Sequence, residues 1–479
     1  MARPAGGSQR LTLAGLVTAA MAYALMQTFL IPALPALQDD LGASGTWVTW
    51  TVTAYLLTGA VAIPLIGRLG DQHGKARLML ISLAVFLAGS VGAIVAWDIG
   101  SLIVFRAVQG VGAAVFPLSF AIIRDEFPPE RQSVAMGLVS AVLGVGGGLG
   151  IVLSGLIVDH LSWRWLFVAA ALVVAAALVL VWRFVPESPI RASANVDVWG
   201  ALTLSGGLVC LLVGLTEGPH LGWGSPAIAG LFAGAAALLA LWCLVELRVD
   251  DPMVDMRMLA RRVVLFTNLT AMLSGFALYM TWVILPTFYQ LPSGLPEPLA
   301  RVADYGFGTS VTEAGLWMLP TSLAILLAGP VAGVIGRRRG SRGPLVVGMA
   351  LVAVGSAGIA TWHAEPWQPA AAFVLCGVGI GFSFAAMPKL IVDAVRPTET
   401  GVATGMNTVV RTIGGVIGAQ VGAVLLAANH APGTSVPTVT GFVDAFWIGA
   451  AGALVAALAA LFATPRRRVP DAVPAQAPG

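Results

Sequence analysis

Charge is scarce in this chain. Lys, Arg, Asp and Glu together make up 10% of the 479 residues, where a soluble domain carries about a quarter, so a water-soluble globule of this size is excluded. Cysteine is nearly absent. Cys210, Cys243 and Cys376 all sit in apolar runs without C-x-x-C or Cys/His spacing, which supports neither a disulfide framework nor a zinc site. No G-x-x-x-x-G-K-[ST] loop occurs, so direct use of ATP is not expected. His73, His160, His220, His363 and His430 fall in loops or at the ends of apolar runs, and no His, Cys and carboxylate cluster suggests an enzyme, a metal or a cofactor. Basic residues form short clusters between apolar runs and never a stripe, so the net charge of +3 does not point to nucleic acid.

What the chain has is apolar surface. Hydrophobic residues make up 58%, joined by 57 glycines, and the mean hydropathy is +0.88, so lipid must be the solvent for most of it. Runs of about 18 or more apolar residues fall at 11–37, 47–66, 78–97, 101–123, 134–158, 164–184, 198–216, 226–247, 263–290, 311–336, 344–362, 369–392, 402–428 and 440–463. That predicts an all-α, multi-pass membrane protein of fourteen spans. The first run is too long for the apolar region of a signal peptide, about 7–15 residues, and reads as span 1.

Orientation follows from Lys and Arg, which are retained on the cytoplasmic side. With the N-terminus inside, 22 of the 26 basic residues fall in inner segments, Arg164 and Arg301 fall outside, and Arg106 and Arg411 lie within spans. Both termini are therefore expected in the cytoplasm, with the protein in the cell's inner or plasma membrane. A repeat runs along the chain: Gly67, Gly70 and Gly74 after span 2 match Gly333, Gly336 and Gly340 after span 10. The offset from 67 to 333 is about eight span units, two more than a duplicated six-helix half allows. Spans 7 and 8 then read as an insertion. The expected organisation is 6+2+6: a first bundle over 1–190, an inserted pair over 191–258, a second bundle over 259–464, and a disordered cytoplasmic tail over 465–479.

Several motifs in order carry a family resemblance across nearly the whole chain. Gly67, Leu69, Asp71, Gly74 and Lys75 fit G-x-L-x-D-x-x-G-[RK], and Leu102, Arg106, Gln109, Gly110, Gly112, Ala113 and Ala114 fit L-x-x-x-R-x-x-Q-G-x-G-A-A. Asp159, Trp163, Arg164, Trp165 and Phe167 form a third segment, Pro286, Tyr289 and Gln290 a fourth, and Asn407, Arg411, Gly414 and Gly415 a fifth. The chain resembles the major facilitator superfamily, and within it the fourteen-span drug:proton antiporters of the multidrug efflux type. Three departures stand out. Met26 occupies the place of the branch's usual span-1 aspartate, the G-P-x-x-G-G signature of span 5 has Ile151 where its proline would be, and Arg337 replaces the aspartate in the second repeat.

The resemblance implies a major facilitator fold, a monomer, and export of amphipathic drugs or secondary metabolites in exchange for protons by alternating access. An uptake symporter or facilitator for a small organic solute is the alternative, and a non-transporting membrane sensor a third. In the family arrangement the substrate cavity would be lined by Gln27, Tyr55, Arg106, Gln109, Tyr279, Trp282, Tyr289, Gln290, Trp317, Asn407 and Arg411. Arg411 lies about 13 Å into span 13 at 1.5 Å per residue, where a charge needs a cavity or a polar lock such as Asn407. Arg106 is near enough to the outer end of span 4 to snorkel. Gly67, Asp71, Gly74, Lys75 and Arg77 would form the inner gate, with Asp71 also readable as the polar residue of a tight turn from Gly70 to Gly74. Glu313 is the carboxylate nearest a cavity helix: a candidate for proton coupling, or half of a capping box with Ser310.

Overall fold

The computed structural model describes residues 7–188, 197–291, 305–431 and 436–464. Fourteen helices among them are long and apolar enough to cross a membrane, and no strand occurs among the described residues. They are span 1 (Gly7–Thr28), span 2 (Gly45–His73), span 3 (Lys75–Ile94), span 4 (Ile99–Glu126), span 5 (Pro129–His160), span 6 (Arg164–Phe184) and span 7 (Val198–Leu221). Span 8 (Pro226–Glu246), span 9 (Arg262–Gln290), span 10 (Val311–Arg339), span 11 (Arg342–Thr361), span 12 (Trp367–Ala394), span 13 (Thr400–Ala428) and span 14 (Val439–Ala460) follow. The expected tail over 465–479 and most of the loop between spans 9 and 10 lie outside the described residues.

Two boundaries differ most from the sequence reading. Span 1 stops at Thr28 rather than running to 37, and a separate short helix, Leu34–Leu41, follows a turn. Pro32 lacks an N–H and pushes its predecessor away from the helical region, which ends the helix ahead of it. Span 2 runs past 66 to His73, so the expected turn from Gly70 to Gly74 is helical up to its last residue. Gly74 alone makes the corner, with a φ of 114°, a region that glycine enters without a Cβ penalty.

Span 1 packs on spans 5 and 6, span 2 on span 4, and span 3 on spans 4 and 6. Span 9 packs on spans 13 and 14, and span 12 on spans 10 and 11. The two sets meet along two seams, span 2 against span 13 and span 5 against span 10. Small residues make both seams close. A Cβ on Gly67 would stand 2.8 Å from the Gly401 carbonyl oxygen, and one on Gly333 2.6 Å from that of Ser133. The repeated glycine therefore meets the beginning of a helix of the other set at each seam. With no hydrophobic drive between helices in lipid, such backbone approach supplies the packing.

Span 8 packs chiefly on span 7, which in turn lies against spans 2 and 13. Asp197 opens span 7 by accepting from the Gly200 N–H at 2.8 Å. Glu246, buried at the end of span 8, accepts from Trp242 Nε1 at 2.8 Å and from the Val254 N–H at 3.0 Å. At the opposite end of the bundle, Asp40 accepts from Trp163 Nε1 at 2.8 Å and Arg164 Nη1 at 3.1 Å. The indole bond and the guanidinium hold the Asp40 carboxyl below its usual range.

Candidate substrate pocket and gate

A cleft between the two helix sets is lined by Tyr23 and Gln27 of span 1, Phe116 of span 4, Leu143 of span 5, and Tyr279 and Trp282 of span 9. Phe384 of span 12 and Thr408, Arg411 and Thr412 of span 13 complete its polar and aromatic wall. Gln27 Nε2 donates to Tyr279 Oη at 2.9 Å, which ties the two sets together across it. The cleft holds about 40 Å³, room for a few waters, against roughly 300–1,000 Å³ for a ligand pocket. Admitting a drug-sized molecule therefore requires the two sets to separate.

Behind the span 1 wall lies a fully buried arginine. Arg106 does not snorkel outward: Nε donates to the Thr51 carbonyl at 3.0 Å, Nη1 to Gln109 Oε1 at 2.9 Å and Nη2 to the Met26 carbonyl at 3.4 Å. These oxygens give the guanidinium partners that lipid cannot. Its carbon sits 4.2 Å from the Tyr55 ring centroid, and Tyr55 stacks on Tyr23 at 5.2 Å. Gln109 completes the set by donating to Ser90 Oγ at 2.9 Å. Arg106, Tyr55 and Gln109 thus support the wall of the cleft rather than lining it.

The end of the bundle that carries the basic loops is closed. Asp71, in the last turn of span 2, accepts from the Gly401 and Val402 N–H groups, each at 3.2 Å. Those donors belong to the first turn of span 13, where N–H groups lack intrahelical partners and the helix dipole favours an anion. Lys75 lies 3.8 Å from Asp71 and donates to Asp125 at 2.5 Å. Glu187 caps span 3 by accepting from the Ala76 and Arg77 N–H groups at 3.2 and 2.9 Å. A Cβ on Gly74 would lie 2.7 Å from that carboxyl carbon, so the glycine is fixed by space as well as by φ. Arg77 contributes its backbone, its side chain being exposed. Arg124 adds a second clasp across the seam, donating to Thr400 Oγ1 at 2.7 Å and the Val395 carbonyl at 2.9 Å. At the other seam Arg337, in the place that corresponds to Asp71, is exposed.

The family model of the Major Facilitator Superfamily matches residues 16–419 and again 267–479. The chain belongs to that superfamily. It is a membrane transporter rather than an enzyme, with fourteen candidate spans. It is 32% identical over 396 residues to the tetracenomycin C resistance and export protein of Streptomyces glaucescens, covering 82% of this chain and 71% of that one. It is 27% identical over 401 residues to multidrug resistance protein 3 of Bacillus subtilis, covering 83% and 75%. In fold it is similar to the human organic anion transporter MFSD10 (TETRAN), with a TM-score of 0.66, 17% identity, and coverage of 96% of this chain and 100% of that chain.

Other residues singled out in the facilitator motifs lie away from the cleft. Tyr289 donates to the Pro366 carbonyl at 2.6 Å and stacks on Trp317 at 6.4 Å, in an aromatic cluster with Phe307. Gln290 is exposed and bonds back to the Pro286 carbonyl. Asn407 does not lock Arg411; it donates to Asn268 at 2.9 Å, while Arg411 lies over the Phe384 ring at 4.5 Å. Tyr23, Phe116, Phe384 and Thr408 line the cleft without having been picked out by the motifs. Only Tyr23 had a signal, standing one helical turn before Gln27 on the same face. A wider cleft of about 630 Å³ opens beside the gate, between residues 246–257 and the start of span 13. It has Arg68, Arg396, Asp255 and Glu399 among its walls and no residue in common with the central one.

Glu313 sits in a capping box. Its N–H donates to Ser310 Oγ at 3.2 Å and its carboxylate accepts from the Ser310 N–H at 2.9 Å, on an exposed helix start that does not reach the cleft. The expected result for Glu313→Gln is an unchanged melting temperature, because the amide oxygen can keep the cap. Full pH-driven transport in vesicles is expected as well. A loss of pH-driven transport with binding retained would instead make Glu313 the proton carrier.

Proposed function

We propose that this transporter exports amphipathic, largely aromatic compounds across the membrane in exchange for protons, by rocking two six-helix halves about the central cleft. The observation that carries this reading is the cleft itself: an aromatic and amide-lined space at the seam of two halves, collapsed, and bolted at one end by Asp71 on the first turn of span 13. The relatives named for drug resistance and export support the direction. The basic loops assign the bolted end to the cytoplasm. The halves are residues 1–190 and 259–464, and the pair of spans within 191–258 sits outside the moving core, so substitutions there are expected to change stability more than substrate range.

The proton enters this reading at the gate. A carboxylate holding two backbone N–H groups loses its charge when protonated, and the bolt weakens with it. Proton arrival would therefore favour opening toward the cytoplasm, the step that reloads an exporter.

The test uses inside-out vesicles containing the full chain and a fluorescent amphipathic dye. Acidifying the lumen should drive dye inward against its gradient, and a protonophore should abolish that accumulation. Equilibration of dye with no response to the pH gradient would make the chain a facilitator.

A further inference from the structure

The central cleft has a charge of one sign. Arg411 lines it, and among the described residues its guanidinium rests on the Phe384 ring at 4.5 Å without a hydrogen bond or an ion pair. Among the described residues no carboxylate lines the cleft. The other arginine of the membrane interior, Arg106, stands two stacked rings behind, reaching the cleft through Tyr55 and Tyr23, and it too is held by carbonyl and amide oxygens rather than by an acid. At position 26, beside Arg106, the sequence places a methionine. A guanidinium facing a low-dielectric cleft with no counter-charge is costly and looks for an anion. A second cation brought into the same space is repelled by both arginines, and a cleft of about 40 Å³ leaves little room for screening.

We infer that the ligand of this site is an aromatic organic anion, a carboxylate, sulfonate or acidic phenolate joined to a flat ring system, with its charge on Arg411 and its rings against Tyr279, Trp282 and Phe384. The guanidinium fork takes two acceptor oxygens of such a group side by side, and the aromatic walls take the rings. This inference rests on the central cleft being the substrate site, and it replaces a general amphipath by one charge class. Lipophilic cations are excluded as preferred ligands.

Equilibrium binding to the purified full chain in lipid nanodiscs, read by isothermal titration calorimetry, tests it with three naphthalene probes: the 2-sulfonate, the neutral 2-methyl sulfone and the 2-trimethylammonium. The sulfonate should bind about 10- to 100-fold tighter than the sulfone, the gain of a charge-assisted bond, and the ammonium more weakly than the sulfone. Arg411→Gln should bring the sulfonate to the affinity of the sulfone and leave the sulfone within about twofold, while Arg411→Lys, which keeps the charge but not the planar fork, should keep only part of the preference. Tightest binding of the ammonium, no binding of the sulfonate, or a sulfonate preference that survives Arg411→Gln would overturn the inference. Should the Gln variant fail to fold, the ranking of the three probes on the native chain decides. Binding is read without a gradient, so a chain that prefers the sulfonate but carries it inward overturns the export reading and leaves this one standing.

Discussion

Asp71→Asn is expected to unbolt the closed end of the transporter, where span 2 meets the first turn of span 13. The carboxylate takes one N–H on each oxygen, from Gly401 and Val402. An asparagine can offer an oxygen to only one of them and must turn an NH2 toward the other donor. Hydrogen bonds to a charged group contribute about 1.5–3 kcal/mol each, so losing one and weakening the other shifts the gate equilibrium by about two orders of magnitude. Lys75 is not orphaned by the change, because it keeps Asp125 at 2.5 Å, and the fold should survive. Ile63 is the reporter: it lines the cleft and stands directly behind the gate, against Gly405. In a background with Cys210, Cys243 and Cys376 replaced, Ile63→Cys should react with a membrane-impermeant maleimide from the cytoplasmic side at least ten times faster when Asp71→Asn is added. An equal rate would mean that the bolt carries no weight and that the glycine seams alone close the end. Coupled transport should fall in the same variant, because a gate that no longer closes lets substrate slip back.

The spans were legible because lipid leaves the backbone no other choice: a run of apolar residues in a bilayer must satisfy its own N–H and C=O groups, and a helix does so within one segment. Their ends were less so. Hydropathy falls off around Gly67, yet the helix continues to His73 because nothing before Gly74 breaks it. The gate motif was legible as a unit, whereas its partner was not: Asp71 and Gly401 are 330 residues apart in sequence, and no local pattern connects them. Arg124 was passed over for the same reason, its acceptors lying on the far half. In the cleft, Gln27, Tyr279, Trp282 and Arg411 stood out because polar or large aromatic groups inside spans are expensive or bulky. Phe384 and Leu143 did not, since in an apolar helix they look like every other lipid-facing residue. Tyr289, Gln290 and Trp317 lie on suitable spans but toward one end, Tyr289 and Trp317 stacked beside Phe307 and Gln290 exposed. Depth along a helix is harder to read from sequence than membership of it.

The missing span-1 acid was legible as an absence, and the structure turns it into an experiment. Met26 Sδ lies 3.9 Å from Arg106 Nη1 and 3.8 Å from Gln109 Nε2. A carboxylate oxygen of aspartate is the same number of bonds from Cα as that sulfur, so Met26→Asp sets an anion between both donors. With Arg106 present the new charge is paired and hydrogen-bonded on arrival, and the variant is expected to fold with a stability within about 1 kcal/mol of the native chain, pairing offsetting desolvation. With Arg106→Met the same carboxylate is buried without a cation, and the loss should be about 3–5 kcal/mol. Arg106→Met alone should be mild by comparison, because it removes an unpaired buried charge. The Thr51 carbonyl is inside span 2, where the helix ladder also claims it. A double-mutant cycle in reversible unfolding from mixed micelles measures the coupling directly. A coupling below about 1 kcal/mol would mean that the two side chains do not meet, and that the arginine is held by the Thr51 and Met26 carbonyls, Gln109 and the Tyr55 face. Function should change along with stability. Met26→Asp puts a titratable group beside the stack that backs the cleft, so vesicle transport should acquire a pH dependence that the native chain lacks at this site, and the positive bias of the cleft should fall. Binding of an aromatic sulfonate should weaken in the variant, and binding of the matching ammonium should tighten.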